Sequence, residues 1–403
     1  MKKFTKACAV FLGLTAFSPL YPAGDVDVQD IQALRDWLNT KRQVTIREIG
    51  GNLSLSGEIR TEFQCTNEVS NGVRQRGPGG AVALTSTNSY DVEVNLMLDY
   101  RADRTWGAIK IEFDNDAGVI NSSVNKIRIE KAYFGVKLYD GDLVSTDVEV
   151  GRRSLSTIFD SKVQFASMSD GVLLRYDVSV EHIGDLYIHA LAEVVDEKIG
   201  QYAYFAELGW LTVMDTGLFL KYSVSDWDTK HHKNDITKWG YQYIVNQWTL
   251  GYKFIPEKFG RIVMPYMAFL WNPVASQTKI TGGRKLNLAG YLGVSAGELR
   301  KKGDWAVDAN YQAVQAQAVP SFDVSGVGIG NSSKAPFYSK NVDESKKSAA
   351  GNGNFRGFAL TLDYLLTNNL NLQQQWLQSI TLDTDIGPSR HFKQYEIELI
   401  YGF

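Results

Sequence analysis

The sequence predicts an all-β fold: a transmembrane antiparallel barrel of about sixteen strands, with short periplasmic turns and long extracellular loops, behind a short N-terminal helix. Three observations predict it. The chain starts with an export signal, it repeats strands long enough to cross a membrane, and its last strand ends on an aromatic residue.

The export signal sets the compartment. Lys2, Lys3 and Lys6 form a basic start, Cys8 to Phe17 is apolar, and Pro22-Ala23-Gly24 offers small residues for cleavage. Tyr21 fits the −3 position poorly, so the signal is placed at 1–23 to within a few residues. Cys8 stands at the start of the apolar run, not after it, and does not read as a lipoprotein cysteine. In residues 24–50, Val28, Ile31, Leu34, Trp37 and Leu38 repeat at helical spacing. They predict an amphipathic periplasmic helix and linker, which either packs on the barrel base or forms a short trimerising or tethering coil. The barrel then occupies 51–403.

Composition leaves both a soluble and a barrel reading open. Hydrophobic residues make up 44% and charged residues 22%, as in an average globular chain. Past the signal no apolar run reaches the roughly 18 residues of a spanning helix. Losing the signal removes three lysines and no acid, so the formal charge moves from −3 to −6. That acidity argues against nucleic-acid binding.

The strand pattern decides between them. In Tyr90 to Tyr100, the residues Tyr90, Val92, Val94, Leu96, Leu98 and Tyr100 share one face, and Asp91, Glu93, Asn95 and Asp99 share the other. At about 3.3 Å per residue this strand is roughly 33 Å long. Tilted by about 35–45°, it spans roughly 24–27 Å, close to the apolar band of an outer-membrane barrel. Leu53, Leu55, Ile59 and Phe63 alternate in the same way with Ser54, Ser56, Glu58, Arg60 and Glu62. Similar faces recur near 109–113, 127–138, 143–152, 172–178, 186–194, 202–210, 218–224, 248–254, 259–271, 285–296, 305–313, 358–364 and 369–380. The segment 127–138 changes phase between Ile129 and Ala132, the mark of a bulge.

Connections of a few residues, such as Asp103-Arg104, alternate with long ones at 65–87, 153–169, 226–243 and 315–353. At the end of the chain, Tyr395, Ile397, Leu399, Tyr401 and Phe403 alternate to the last residue. An unpaired strand of this kind is aggregation-prone, whereas closure onto the first strand pairs it.

A barrel of this size leaves a water-filled lumen. Arg60, Glu93, Lys110 and Glu112 are its wall candidates, with Arg128 beside the phase change. Arg152 and Arg153 either meet anionic lipopolysaccharide or line the pore mouth. Cys65 is the one cysteine outside the signal, which suggests a reduced thiol or an intermolecular disulfide. No catalytic set or metal site is expected. Gly293-Val294-Ser295-Ala296-Gly297 matches a nucleophile elbow but runs into a turn and another strand. Asp114-Asn115-Asp116 with Gly118 lacks the downstream Glu of a calcium loop. His231 and His232 are two ligands in a solvated loop.

The stretch 127–177, with Ala132-Tyr133, Gly135 and a strand ending in Gly151-Arg152, resembles the central strands of Gram-negative general porins. Residues 35–64 are similar to the start of chlamydial porins and their relatives, whose disulfide-linked envelope would suit Cys65. The resemblance implies homotrimers, no cofactor and passive diffusion of ions and small hydrophilic solutes. It implies that loop 153–169 folds inward as a constriction, with Asp160, Lys162 and Arg153 joining the wall charges. It also implies contact with outer-membrane lipid and lipopolysaccharide, and a C-terminal strand read by the barrel-assembly machinery. Two other readings stand beside it: a substrate-selective, carbohydrate-type porin, and an adhesin or structural barrel working through loops 65–87 and 315–353.

Overall fold

Alternation of this kind can satisfy every backbone group in a membrane only if the sheet closes on itself. A computed structural model describes residues 44–48, 51–81, 87–116, 126–197, 200–228, 243–275, 277, 281, 283–320, 322–327 and 353–403. Sixteen long strands form the barrel. They are β1 Gly51–Ser70, β2 Asn88–Ala102, β3 Thr105–Asp116, β4 Lys126–Asp140, β5 Val144–Ser154, β6 Met168–Val180, β7 Gly184–Asp196 and β8 Gln201–Leu211. There follow β9 Leu218–Asp226, β10 Ile244–Tyr252, β11 Val263–Trp271, β12 Leu288–Gly297, β13 Trp305–Val314, β14 Phe355–Thr367, β15 Leu370–Thr381 and β16 Arg390–Gly402. Two short strands, Val44–Glu48 and Val73–Arg74, add to β1.

Each long strand pairs antiparallel with the next, and β16 pairs with β1 from Arg390↔Ser70 to Gly402↔Glu58. The sheet therefore has no free long edge. Among the described residues no helix is long and apolar enough to cross a membrane. The exposed apolar residues instead sit on alternate positions: Tyr90 and Leu96 on β2, Leu208 on β8, Trp248 and Leu250 on β10, Met267 and Phe269 on β11. Their neighbours in sequence point into the lumen. An apolar exterior on a closed barrel is the architecture of the bacterial outer membrane.

The expected strands are found, with shifted ends at 253–254 and 259–262, which fall in one turn, and three further adjustments. β1 runs on to Ser70, so residues 65–70 belong to the sheet and the loop starts later. The phase change in β4 is a bulge: Lys110 pairs with Lys131 and Ile111 with Ile129, leaving Glu130 as the extra residue. Val44–Glu48, expected as linker, is a strand. The signal, the 25–43 helix, His231, His232, Gly118 and most of loop 315–353 lie outside the described residues.

Closure uses Phe403. Phe403 donates its backbone N–H to Gly57 O at 2.9 Å, and Gly57 returns the bond at 3.0 Å. A Cβ on Gly57 would stand 2.6 Å from the Phe403 ring and 2.7 Å from Asn95 O, so only glycine leaves room for this ring. Gly57→Leu is expected to destabilise closure by about 1–3 kcal/mol. The check is the temperature at which the folded barrel loses its fast gel migration, which should fall.

Candidate pore and its lining

The lumen side of β1–β6 is charged because polar residues fill the inward positions of those strands. Arg60 bonds Glu58 at 2.6 Å and Glu398, across on β16, at 3.3 Å. Asn95 donates to Glu58 at 2.9 Å and also reaches Glu93. Further round, Lys110 pairs with Glu130 and Arg128 with Glu112. The bulge brings Glu130 onto the same face as Lys110, which the plain alternation did not reveal.

Glu149 on β5 is the hub of the next cluster. It accepts from Trp106 Nε1 at 3.0 Å, from Arg175 at 3.0 and 3.2 Å, and from Arg153. The Arg153 guanidinium also lies 4.8 Å above the Tyr133 ring. The adjacent arginines thus separate. Arg153 turns into the lumen, whereas Arg152 is on the exterior with Asp170, held by two bonds of 2.7 and 2.6 Å. Gathered around one carboxylate, these cations are fixed in place and their charge is partly balanced.

Residues 155–167, between β5 and β6, pack on inward side chains of the far wall. Phe159 stacks on Phe205 of β8 at 5.6 Å and meets Phe165 at 5.2 Å. Phe205 touches Trp227 at 5.1 Å, and Trp227 touches Phe322 at 4.9 Å. Leu155, Val163 and Phe165 are buried here. Each such side chain contributes roughly 1.5–3 kcal/mol of apolar burial, enough to hold the segment off the bulk solvent.

The charges on this segment are also tied to the far wall. Asp160 pairs with Lys221 of β9 at 3.1 Å, and Lys162 with Asp308 of β13 at 3.4 Å. Gln247 of β10 donates to Asp160 O at 2.8 Å and accepts from Gln164 at 2.9 Å. Sequence reasoning chose Asp160 and Lys162 but missed Lys221, Gln247 and Asp308. Those partners come from strands far along the chain and carry no local signal.

A second loop fastens the first. Asp323, wholly buried, accepts from the backbone N–H of Phe165 and of Ser167, each at 3.1 Å. Ala166 donates to Asp323 O at 3.2 Å, and Ser325 N donates to Val163 O at 3.1 Å. Phe165 has a φ of 73°, a left-handed backbone that costs a non-glycine residue of order 1–3 kcal/mol and needs such pinning. Burial pushes the Asp323 carboxyl up to about 7, against the pull of its backbone donors.

The remaining sequence candidates fall elsewhere. Cys65 is on β1 opposite Tyr395 and is 4% exposed. A disulfide to another chain would first require its sulfur to be uncovered. Tyr395, Ile397, Leu399 and Tyr401 occupy the outward face of β16. Ser295 sits within β12, not on a strand-to-helix elbow, and donates to Asp308 at 2.6 Å. Asp308 is shared with Tyr266, 2.7 Å away. His189 on β7 and His391 on β16 both lie within strands. Among the described residues no group of three or more His, Cys, Asp or Glu is placed to hold a metal.

No family model matches the chain, and no curated protein matches it. Solved structures do. OmpF of Salmonella typhi, in complex with daunomycin, superposes with a TM-score of 0.52 at 13% identity, covering 89% of this chain and all of that one. OprB of Pseudomonas putida, at high pH, gives 0.51 at 9% identity, covering 87% of this chain and 94% of that one. Fold and wall together define a closed sixteen-stranded antiparallel barrel of the outer membrane, similar in fold to these structures. Within that class the chain stands apart in sequence, so the likeness is one of fold.

Proposed function

We infer that the chain is a diffusion channel for ions and small hydrophilic solutes, narrowed by residues 155–167 and favouring cations. The observation that carries this reading is the asymmetry inside the barrel. The segment 155–167 packs on β8–β13, so the charged wall of β16 and β1–β6 is left to line the water. On β16, β1 and β2 the inward carboxylates are Glu58, Glu62, Glu68, Asp91, Glu93, Asp99, Glu396 and Glu398, against Arg60, Arg101 and Arg390. Acidic walls of this kind favour cations. A carbohydrate-type slide needs a ladder of rings open to the lumen. Here Phe159, Phe165, Phe205 and Trp227 are buried against one another, which argues against it.

Assembly as a homotrimer, contact with lipopolysaccharide and recognition of the Tyr395–Phe403 face by the barrel-assembly machinery belong to the same reading. Purified protein in planar bilayers should give stepwise, ohmic conductance, blocked by sugars above a cut-off size. A correctly folded barrel that passes no current would overturn the channel reading.

A further inference from the structure

The periplasmic rim, where the short turns lie, is unevenly charged. Its longest turn, residues 253–262 between β10 and β11, carries Lys253, Lys258 and Arg261 against Glu257. The next, residues 298–304, carries Arg300, Lys301 and Lys302 against Glu298 and Asp304. Of the other turns on this rim, three carry acids, with Asp140 and Asp142 at one, Glu181 at another and Asp215 at a third; Asp103-Arg104 is balanced and Asn368-Asn369 uncharged.

Two of the three acids of the basic sector are already engaged. Asp304 accepts from the backbone of Arg300 at 3.0 Å and of Lys301 at 2.8 Å, and lies 3.6 Å from Arg261. Glu298 takes Arg300 at 2.6 Å. Lys258, Lys301 and Lys302 are exposed, and no ion pair among the described residues engages their ammonium groups. Their positive charge faces outward.

Beside these lysines lies an exposed aromatic patch. Phe254 and Phe259 are exposed, and so is Ile255. Phe259 meets the Trp305 ring at 5.9 Å, which joins the two turns, and Arg261 sits 5.1 Å over that same ring. Tyr252 extends the patch to Phe254 at 5.6 Å. Rings of this kind settle at headgroup level, and lysines just beyond them attract anionic lipid.

We propose that this edge of the rim binds the headgroup of an anionic phospholipid in the inner leaflet. Lys258, Lys301 and Lys302 meet the phosphate, and the acyl chains lie along Phe254, Phe259 and the outward faces of β10 and β11. The site is independent of conduction, since it is outside the barrel. Lipopolysaccharide is not its ligand, because that lipid belongs to the opposite rim.

The test is native mass spectrometry of the full chain in detergent, titrated with phosphatidylglycerol and phosphatidylethanolamine of identical acyl chains. The unmodified protein should retain phosphatidylglycerol preferentially. The triple variant Lys258→Gln, Lys301→Gln, Lys302→Gln should lose that preference by about ten-fold or more, while still migrating as a folded barrel. Equal retention of both lipids, or an undiminished preference in the triple variant, overturns the proposal. Phe259→Ala should weaken both lipids without altering their ratio. A changed ratio would assign the discrimination to the ring and overturn the lysine assignment.

Discussion

Asp323→Ala is expected to speed hydrogen exchange at the Phe165 and Ser167 amides by about 10- to 100-fold, and to raise open-channel noise. The two N–H groups lose their only described acceptor in a buried setting. Each orphaned donor costs about 1–3 kcal/mol. One opposing term is present: burying an ionised carboxylate without a cation is itself unfavourable, and Ala removes that cost. The pH dependence separates the two. The folded carboxyl titrates at about 7, above its ordinary 3.8. A group raised in this way stabilises the docked loop fully below about 3.8, and that stabilisation is lost as pH rises through about 7. The difference amounts to on the order of 4 kcal/mol. Exchange at 163–167, corrected for its intrinsic base catalysis, should therefore quicken between pH 4 and 8. Asp323→Asn keeps an acceptor but cannot ionise, so its exchange should be flat over this range. Identical pH profiles for the two proteins would remove Asp323 from any role in loop docking.

The barrel was legible in the sequence because a membrane imposes a rule on each strand separately. Tyr90 to Tyr100 announces a spanning strand with no knowledge of its neighbours, and β2 extends only two residues beyond it at each end. Even the bulge in β4 shows as a broken phase. Closure was legible too, through the aromatic alternation ending at Phe403, although the role of Gly57 beneath that ring was not. A glycine in an alternating strand carries no sign of what crosses it.

The site was half legible for a related reason. Arg60, Glu93, Lys110, Glu112 and Arg128 are inward by parity, and parity is local. Whom they bond is set by barrel register: Glu398 reaches Arg60 from 338 residues away. The latch is less local still. Asp323 lies in a long connection with no alternation to read, and its partners are backbone amides, which no sequence pattern marks. Arg152 and Arg153 mark the boundary between the two cases. Adjacency in a strand guarantees that one faces water and the other the exterior, yet only the register assigns Arg153 to Glu149.

The wall charges lead to the second large effect. Under a salt gradient, the wild-type channel should show a reversal potential of cation-selective sign. Glu62→Gln, Glu396→Gln and Glu398→Gln together should lower the cation-to-anion permeability ratio several-fold. The substitutions are nearly isosteric, and Glu58 remains to pair with Arg60 at 2.6 Å, so the wall keeps its shape while losing charge. A carboxylate about 7 Å from a passing ion contributes about 0.6 kcal/mol in water. Three of them give roughly an order of magnitude before screening. Salt at about 0.1 M has a Debye length near 10 Å, which trims this to several-fold, and the effect should shrink further at about 1 M. Arg60→Gln should move the ratio the other way, because it removes the cation nearest to Glu58 and Glu398. An anion-selective wild type would refute the acidic-wall argument while leaving the channel itself intact. A ratio that ignores all four substitutions would place the narrowest passage away from β16, β1 and β2, nearer the Glu149 cluster on β5.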